Sequence, residues 1–225
     1  MNRRIAGYEL DLGDGWTIVP SDLTDVGSWS RELAHRLVPD GAAPVVPVGQ
    51  EAQLGAADGQ DPAGAGIDPA ELLAEGIAAV AQAALETQID ALAVAFLSRR
   101  PETGMVEAML TVVGQEGLSA EEFTADLERS VAETDDPPYL YAQAIEGVVP
   151  AGTVRGAHLM IGHLDPELGR EVAHLEERVA LGVFPPDCPD MIEVTAVANG
   201  VAVFDDMPQA VVDLLEGLTV ELEAA

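Results

Sequence analysis

Apolar and polar residues alternate from Tyr8 to Leu12, and a Gly13-Asp14-Gly15 turn then leads into Trp16-Thr17-Ile18-Val19. Alternation is the period of a half-buried strand, so this stretch predicts a first strand pair, or one strand broken by a turn. The period then lengthens. From Ser28 or Ser30 to about Val38, Trp29, Leu33 and Leu37 fall on one face of an amphipathic helix. A longer helix opens at Asp68-Pro69-Ala70-Glu71: Asp68 is placed to cap it, Pro69 suits the first turn, and Glu71 can close a capping box. Its apolar stripe is Leu73, Ile77, Val80 and Ala84, with alanines between that permit close packing on a sheet.

Ala91 to Leu97 reads as a strand with Leu92, Val94 and Phe96 on one face and three alanines on the other. After the Arg99–Gly104 turn, Val106, Ala108, Leu110 and Val112 mark the inner face of a second strand, with Glu107 and Thr111 opposite, which predicts an antiparallel hairpin. Ser119-Ala120-Glu121-Glu122 is a full capping box, and Phe123, Leu127 and Val131 form the buried stripe of the helix it starts. Asp135-Asp136-Pro137-Pro138 stops that helix. Strands follow from Tyr139 to about Val148 and from Thr153 to Ile161, joined at Pro150-Ala151-Gly152. Leu168 to Ala180 fits either period, with Val179, Leu181 and Val183 favouring a strand for the later half. Asn199-Gly200 between Ile192–Val197 and Val201–Phe204 predicts a hairpin. Asp205 or Asp206 caps a last helix through Val211, Leu214 and Leu215, and Leu218–Leu222 closes as a short strand. Hairpins with helices at intervals imply an α+β fold, a mostly antiparallel sheet packed by helices. Residues 1–38 belong to the main domain, 39–66 form a Gly/Pro/Ala-rich insertion, and 67–225 make up the rest of that domain.

Composition narrows what such a fold can do. The 225 residues carry 40 acids against 10 basic residues, all arginine, for a formal charge of -30. That charge repels phosphate backbones and anionic membrane surfaces, which disfavours nucleic-acid and membrane partners. It suits a chain kept soluble by acidity, in a high-GC or salt-adapted organism that avoids lysine, or an acidic face that draws in a basic protein. A single cysteine, Cys188, allows no internal disulfide and no thiolate metal site. The start reads as no signal peptide and no window as a membrane helix, so the expected compartment is the cytoplasm.

No residue type stands in a pattern that chemistry requires. His35, His158, His163 and His174 form no zinc-binding pair, and His158 and His163, five apart on one strand, face opposite ways. The pairs Glu121-Glu122, Asp135-Asp136 and Asp205-Asp206 suit helix starts and a turn, in a chain where acids are abundant. Asp58-Gly59-Gln60-Asp61 does not continue into a calcium loop, and Gly64-Ala65-Gly66 lacks the strand and lysine of a phosphate loop. Cys188 has no neighbouring base, no Gly-x-Ser-x-Gly elbow occurs, and Trp16, Trp29, Tyr139, Tyr141 and Phe204 read as core or interface residues. The sequence therefore assigns no catalytic, cofactor-binding or metal-binding residue and no cofactor.

The order of parts over the C-terminal two-thirds resembles the PsbP-like α/β sandwich superfamily. The resemblance runs through the strand pair at Ala91–Val113, the helix capped at Ser119, and the two long strands at Tyr139–Ile161. It continues through Phe184-Pro185-Pro186, the Met191–Thr195 stretch and the closing helix after Phe204-Asp205. Members mostly bind proteins, so the resemblance implies a bacterial adaptor, chaperone or secretion-accessory protein. The alternatives are an acidic inhibitor or immunity-type protein that neutralises a basic partner, and a small enzyme of unrecognised type. The segment expected to touch a partner is Pro39–Gly66, because long irregular insertions tend to carry function. Sequence sets neither the partner nor the oligomeric state.

Overall fold

Long runs of β-branched and aliphatic residues at alternate positions dominate the second half of the chain, and they build its sheet. The computed structural model describes residues 3–46, 66–87, 93–133, 139–164 and 172–224. Within them the strands are β1 (Arg3–Leu10), β2 (Trp16–Ile18), β3 (Ala93–Leu97), β4 (Ala108–Gln115), β5 (Tyr139–Val149), β6 (Gly152–Leu164), β7 (Val172–Phe184), β8 (Met191–Ala198) and β9 (Leu218–Ala224). The helices are α1 (Val26–Leu37), α2 (Pro69–Thr87), α3 (Ala120–Glu133) and α4 (Met207–Leu215). The fold is α+β. Seven strands form one sheet in the order β2-β3-β4-β8-β7-β6-β5, while β1 and β9 pair separately. The ladders β4–β8, β8–β7, β7–β6, β6–β5 and β1–β9 are all antiparallel.

The chain divides into two compact units, residues 1–18, 89–95 and 108–225, and residues 19–88 and 96–107. In the first unit the register sorts side chains onto two faces. Val179, Leu181 and Val183 of β7 lie in line with Ala196, Val194 and Ile192 of β8, and all six are buried. α4 packs against β7, burying Met207, Val211 and Leu215. On the opposite face α3 packs against β6 and β7, where Phe123 meets Phe184 edge-on at 6.1 Å. The β5–β6 turn needs glycine: Gly152 has φ +154, and a Cβ there would collide with the Phe184 carbonyl. Asp190, only 4% exposed, accepts backbone N–H groups from Ile5 and Gly117 and so ties β1 to the loop after β4.

In the second unit α1 packs on α2, burying Leu33, Ala34, Ala70, Leu73, Ala74, Ile77 and Ala81. Asp25 caps α1 through the Ser28 N–H at 2.9 Å, three residues ahead of the start expected from the stripe. Asp68 accepts from Ala70 N–H at 2.9 Å, as its cap position requires. Gly104, at φ +70, lies against α2 so closely that a Cβ would sit 2.7 Å from Leu72 Cβ. Residue Glu107 leaves the polar face expected of it. It is 4% exposed and accepts from Arg99 N–H at 2.6 Å and Arg100 Nε at 2.9 Å, bracing the turn between β3 and β4.

Two local expectations change. β1 and β2 do not pair with each other: β1 pairs with β9 and β2 with β3, so the Gly13–Gly15 turn links two sheets. Val201–Phe204 is not a strand, because β8 already has β4 on one side and β7 on the other and offers no free edge. The ends of the insertion meet at a bridge between Val45 and Ile67, and residues 47–65 between them lie outside the described residues. So do Asp58–Asp61, Leu92, Asp135-Asp136 and residues 165–171. No helix among the described residues is long and apolar enough to cross a membrane.

Candidate interaction surface

β5 is the last strand of the seven-stranded sheet, and on its outer side no strand pairs with it among the described residues. Its eleven residues, Tyr-Leu-Tyr-Ala-Gln-Ala-Ile-Glu-Gly-Val-Val, hold no proline and one charge. That charge, Glu146, is ion-paired with Arg155 on β6. Proteins usually guard an edge strand with lysines, prolines, bulges or shortness, since unpaired N–H and C=O groups template the addition of another strand. β5 has only a register irregularity between Tyr139 and Tyr141. It also exposes large apolar side chains: Leu140 is 54% exposed, Tyr141 40% and Val148 79%.

A groove of about 240 Å³ runs beside this edge. Leu127 and Val131 of α3 form one wall, Ala142 and Ala144 of β5 with Gly156 and Ala157 of β6 form the floor, and Glu128 stands at the rim. The expected α3 stripe is buried only at Phe123, while Leu127 and Val131 are half-buried. The cause lies in the floor. Phe123 meets the large Phe184, but the next two turns face alanine and glycine, which are too small to fill the space. Ala142 and Ala144 pair in register with Leu159 and Ala157, which places them on the face that α3 covers.

Behind this edge β6 and β7 carry polar pairs that only the register brings together. His158 Nε2 lies 2.8 Å from Glu177 Oε1, and the Tyr141 ring meets His158 edge-on at 5.4 Å. On the other face His163 Nε2 lies 2.9 Å from Glu176 Oε2, and Arg178 Nη2 is 2.6 Å from Glu176 Oε1. His163 stacks on His174 at 4.3 Å, while His35 is exposed on α1 in the other unit. His158 and His163 do face opposite ways. Both glutamates are over nine-tenths buried, and Glu177 Oε2 has no hydrogen-bond partner among the described residues, so the histidines and Arg178 meet part of the hydrogen-bonding demand of carboxylates placed inside the sheet. An imidazole held by a carboxylate could serve as a base, but the second requirement of such chemistry is a nucleophile beside it. The neighbouring Tyr141 hydroxyl donates to Gln143 instead. Among the described residues no group of three or more His, Cys, Asp or Glu could hold a metal ion.

A second opening of about 290 Å³ lies between Leu10, Leu12 and Ile18 on one side and Val94, Leu110 and Val112 on the other. Tyr8 closes one end by donating its hydroxyl to the Val112 carbonyl at 3.1 Å, and burial raises its pKa above the ordinary phenol value. Cys188 stands half-buried in the turn where Asp187 takes φ +58, a left-handed conformation that aspartate tolerates. No protein-family model matches this chain, and no curated protein matches it.

Proposed function

We propose that this chain is a non-catalytic protein-binding module of adaptor or chaperone type, which takes up an extended polypeptide along the β5 edge. The supporting observation is the unguarded apolar edge of β5 lying beside the α3 groove. Strand addition draws affinity from main-chain hydrogen bonds and specificity from pockets for alternate side chains, and this surface offers both. The PsbP-like order of elements agrees with it, since members of that superfamily mostly bind proteins.

A formal charge of -30 favours a second reading, an acidic inhibitor of a basic protein. The two readings separate by salt. Binding driven by opposite charge weakens steeply between about 50 and about 500 mM salt, whereas strand addition along an uncharged edge does not. The test is capture from an extract of the native host with tagged wild type and with Val148→Glu, at both salts. A stoichiometric polypeptide held at both salts by wild type and lost with Val148→Glu supports the edge reading. Equal capture by both proteins places the contact elsewhere and overturns it. A co-purifying small molecule with no polypeptide overturns the binding-module reading itself.

A further inference from the structure

The β5 edge has a symmetry of its own. Ala144 is the midpoint of Tyr139–Val149, and an antiparallel copy centred there overlaps it regularly over Tyr141–Gly147, beyond the irregularity at the strand's start. In that register Val148 of the second copy lies against the bulged segment around Leu140, so the exposed apolar ends of the two strands meet. Tyr141 lies opposite Gly147, which leaves room for the ring, and Gln143 lies opposite Ile145. Glu146 lies opposite Ala142, so no acid faces an acid. Centring the pair on Glu146 instead would set the two glutamates against each other, at a cost.

Charge points the same way. A second copy brings another thirty negative charges, so the copies can meet only where the surface itself is neutral. The β5 strip is such a place, because its one acid is ion-paired with Arg155. A strip built for a basic partner would instead present acids to it.

We propose that the segment taken up by the β5 edge is β5 of a second copy of this chain, paired antiparallel about Ala144. This rests on reading β5 as a strand-addition surface. The two seven-stranded sheets then become one across the twofold axis. Because Ala142 and Ala144 lie on the face that α3 covers, both α3 helices stand on the same side of the joined sheet. Val148 of the second copy falls diagonal to Ala142, at the mouth of the groove left open beside Leu127 and Val131.

The test uses the full chain. Sedimentation velocity at about 50 and about 500 mM salt should show a dimer that tightens about tenfold or more at the higher salt, because screening removes repulsion between like-charged copies. Ala144→Glu should sediment as a monomer at both salts, with its circular dichroism unchanged. In Cys188→Ser background, Ala144→Cys should cross-link on oxidation, since directly opposite Cβ atoms lie about 4.5–5.5 Å apart. Thr219→Cys, exposed on β9, should not. A wild type that stays monomeric at about 100 µM at both salts overturns the proposal. So does a dimer that persists in Ala144→Glu, or one in which Ala144→Cys fails to cross-link. The broader reading fails separately: it stands if a monomeric wild type still captures a polypeptide that Val148→Glu loses, and falls if capture ignores Val148.

Discussion

Glu107 shows how much one buried carboxylate can do in an acidic chain. Burial is the largest influence on it and pushes its pKa up. The Arg99 N–H, the Arg100 side-chain hydrogen bond and the two arginine charges together outweigh burial and hold it below the usual carboxylate value. A depressed folded-state pKa means stability that is present above the unfolded value and lost as pH falls through the folded one. Glu107→Gln should therefore destabilise the protein by about 1–3 kcal/mol near neutral pH. Urea titrations from pH 7 to pH 3 should show the gap between wild type and variant closing as the solution turns acidic. A gap independent of pH would mean that the side chain's shape, not its charge, braces the turn. Sequence places Glu107 on a polar face because alternation predicts it, and nothing in alternation shows that two arginines eight and seven positions back will fold over it. The pairing of His158 with Glu177 was hidden for the same reason, since nineteen residues and a strand register separate them. Interactions within one turn were legible: Ser119 Oγ accepts from Glu122 N–H and Glu122 Oε2 accepts from Ser119 N–H, as the capping box requires.

At the scale of elements, periodicity identified most strands and helices but not what stands across from them. The α3 stripe is the clearest case. Phe123, Leu127 and Val131 are equivalent in sequence, yet only the first has a large partner, because the floor beneath the others is built of alanine and glycine from β5 and β6. Phe123→Ala should cost about 3–5 kcal/mol by opening a cavity against Phe184. Leu127→Ala should cost about 1 kcal/mol, since a half-buried side chain on an open groove leaves no sealed void. Equal losses in chemical denaturation would show that something covers the groove in solution. The Asn199-Gly200 signal failed on an element-scale fact as well. Turn chemistry can reverse the chain only if the strand before it has a free edge, and β8 has none. The Gly13–Gly15 turn likewise reads as a hairpin until β9, some two hundred residues on, takes β1 as its partner. Each error comes from a long-range ladder overruling a local preference. The open edge of β5 is illegible in sequence for the converse reason, because an alternating strand reads the same whether it has one neighbour or two.

The whole molecule carries its charge as a standing cost. With forty acids and ten arginines, the folded state holds its negative charges closer together than the unfolded chain does, and self-repulsion opposes compaction. The surface ion pairs Arg4–Glu116, Arg129–Asp126 and Arg155–Glu146 relieve little of this, since such pairs contribute about 0–1 kcal/mol each. Added salt should therefore stabilise the fold, against the usual expectation for proteins held by surface ion pairs. Association would stabilise it too, so the two effects must be separated. Thermal unfolding of Ala144→Glu, in which the proposed β5 pairing is blocked, isolates the monomer. Its midpoint should rise by several degrees between about 10 and about 500 mM sodium chloride, with most of the gain below about 150 mM, where the screening length is still shrinking through the spacing of surface charges. Wild type should show the same rise plus a dependence on protein concentration that grows with salt, the mark of an association that screening strengthens. A flat midpoint in Ala144→Glu would mean that the acids are spread widely enough not to oppose folding. Charge would then cease to be an argument about which surface another copy can approach.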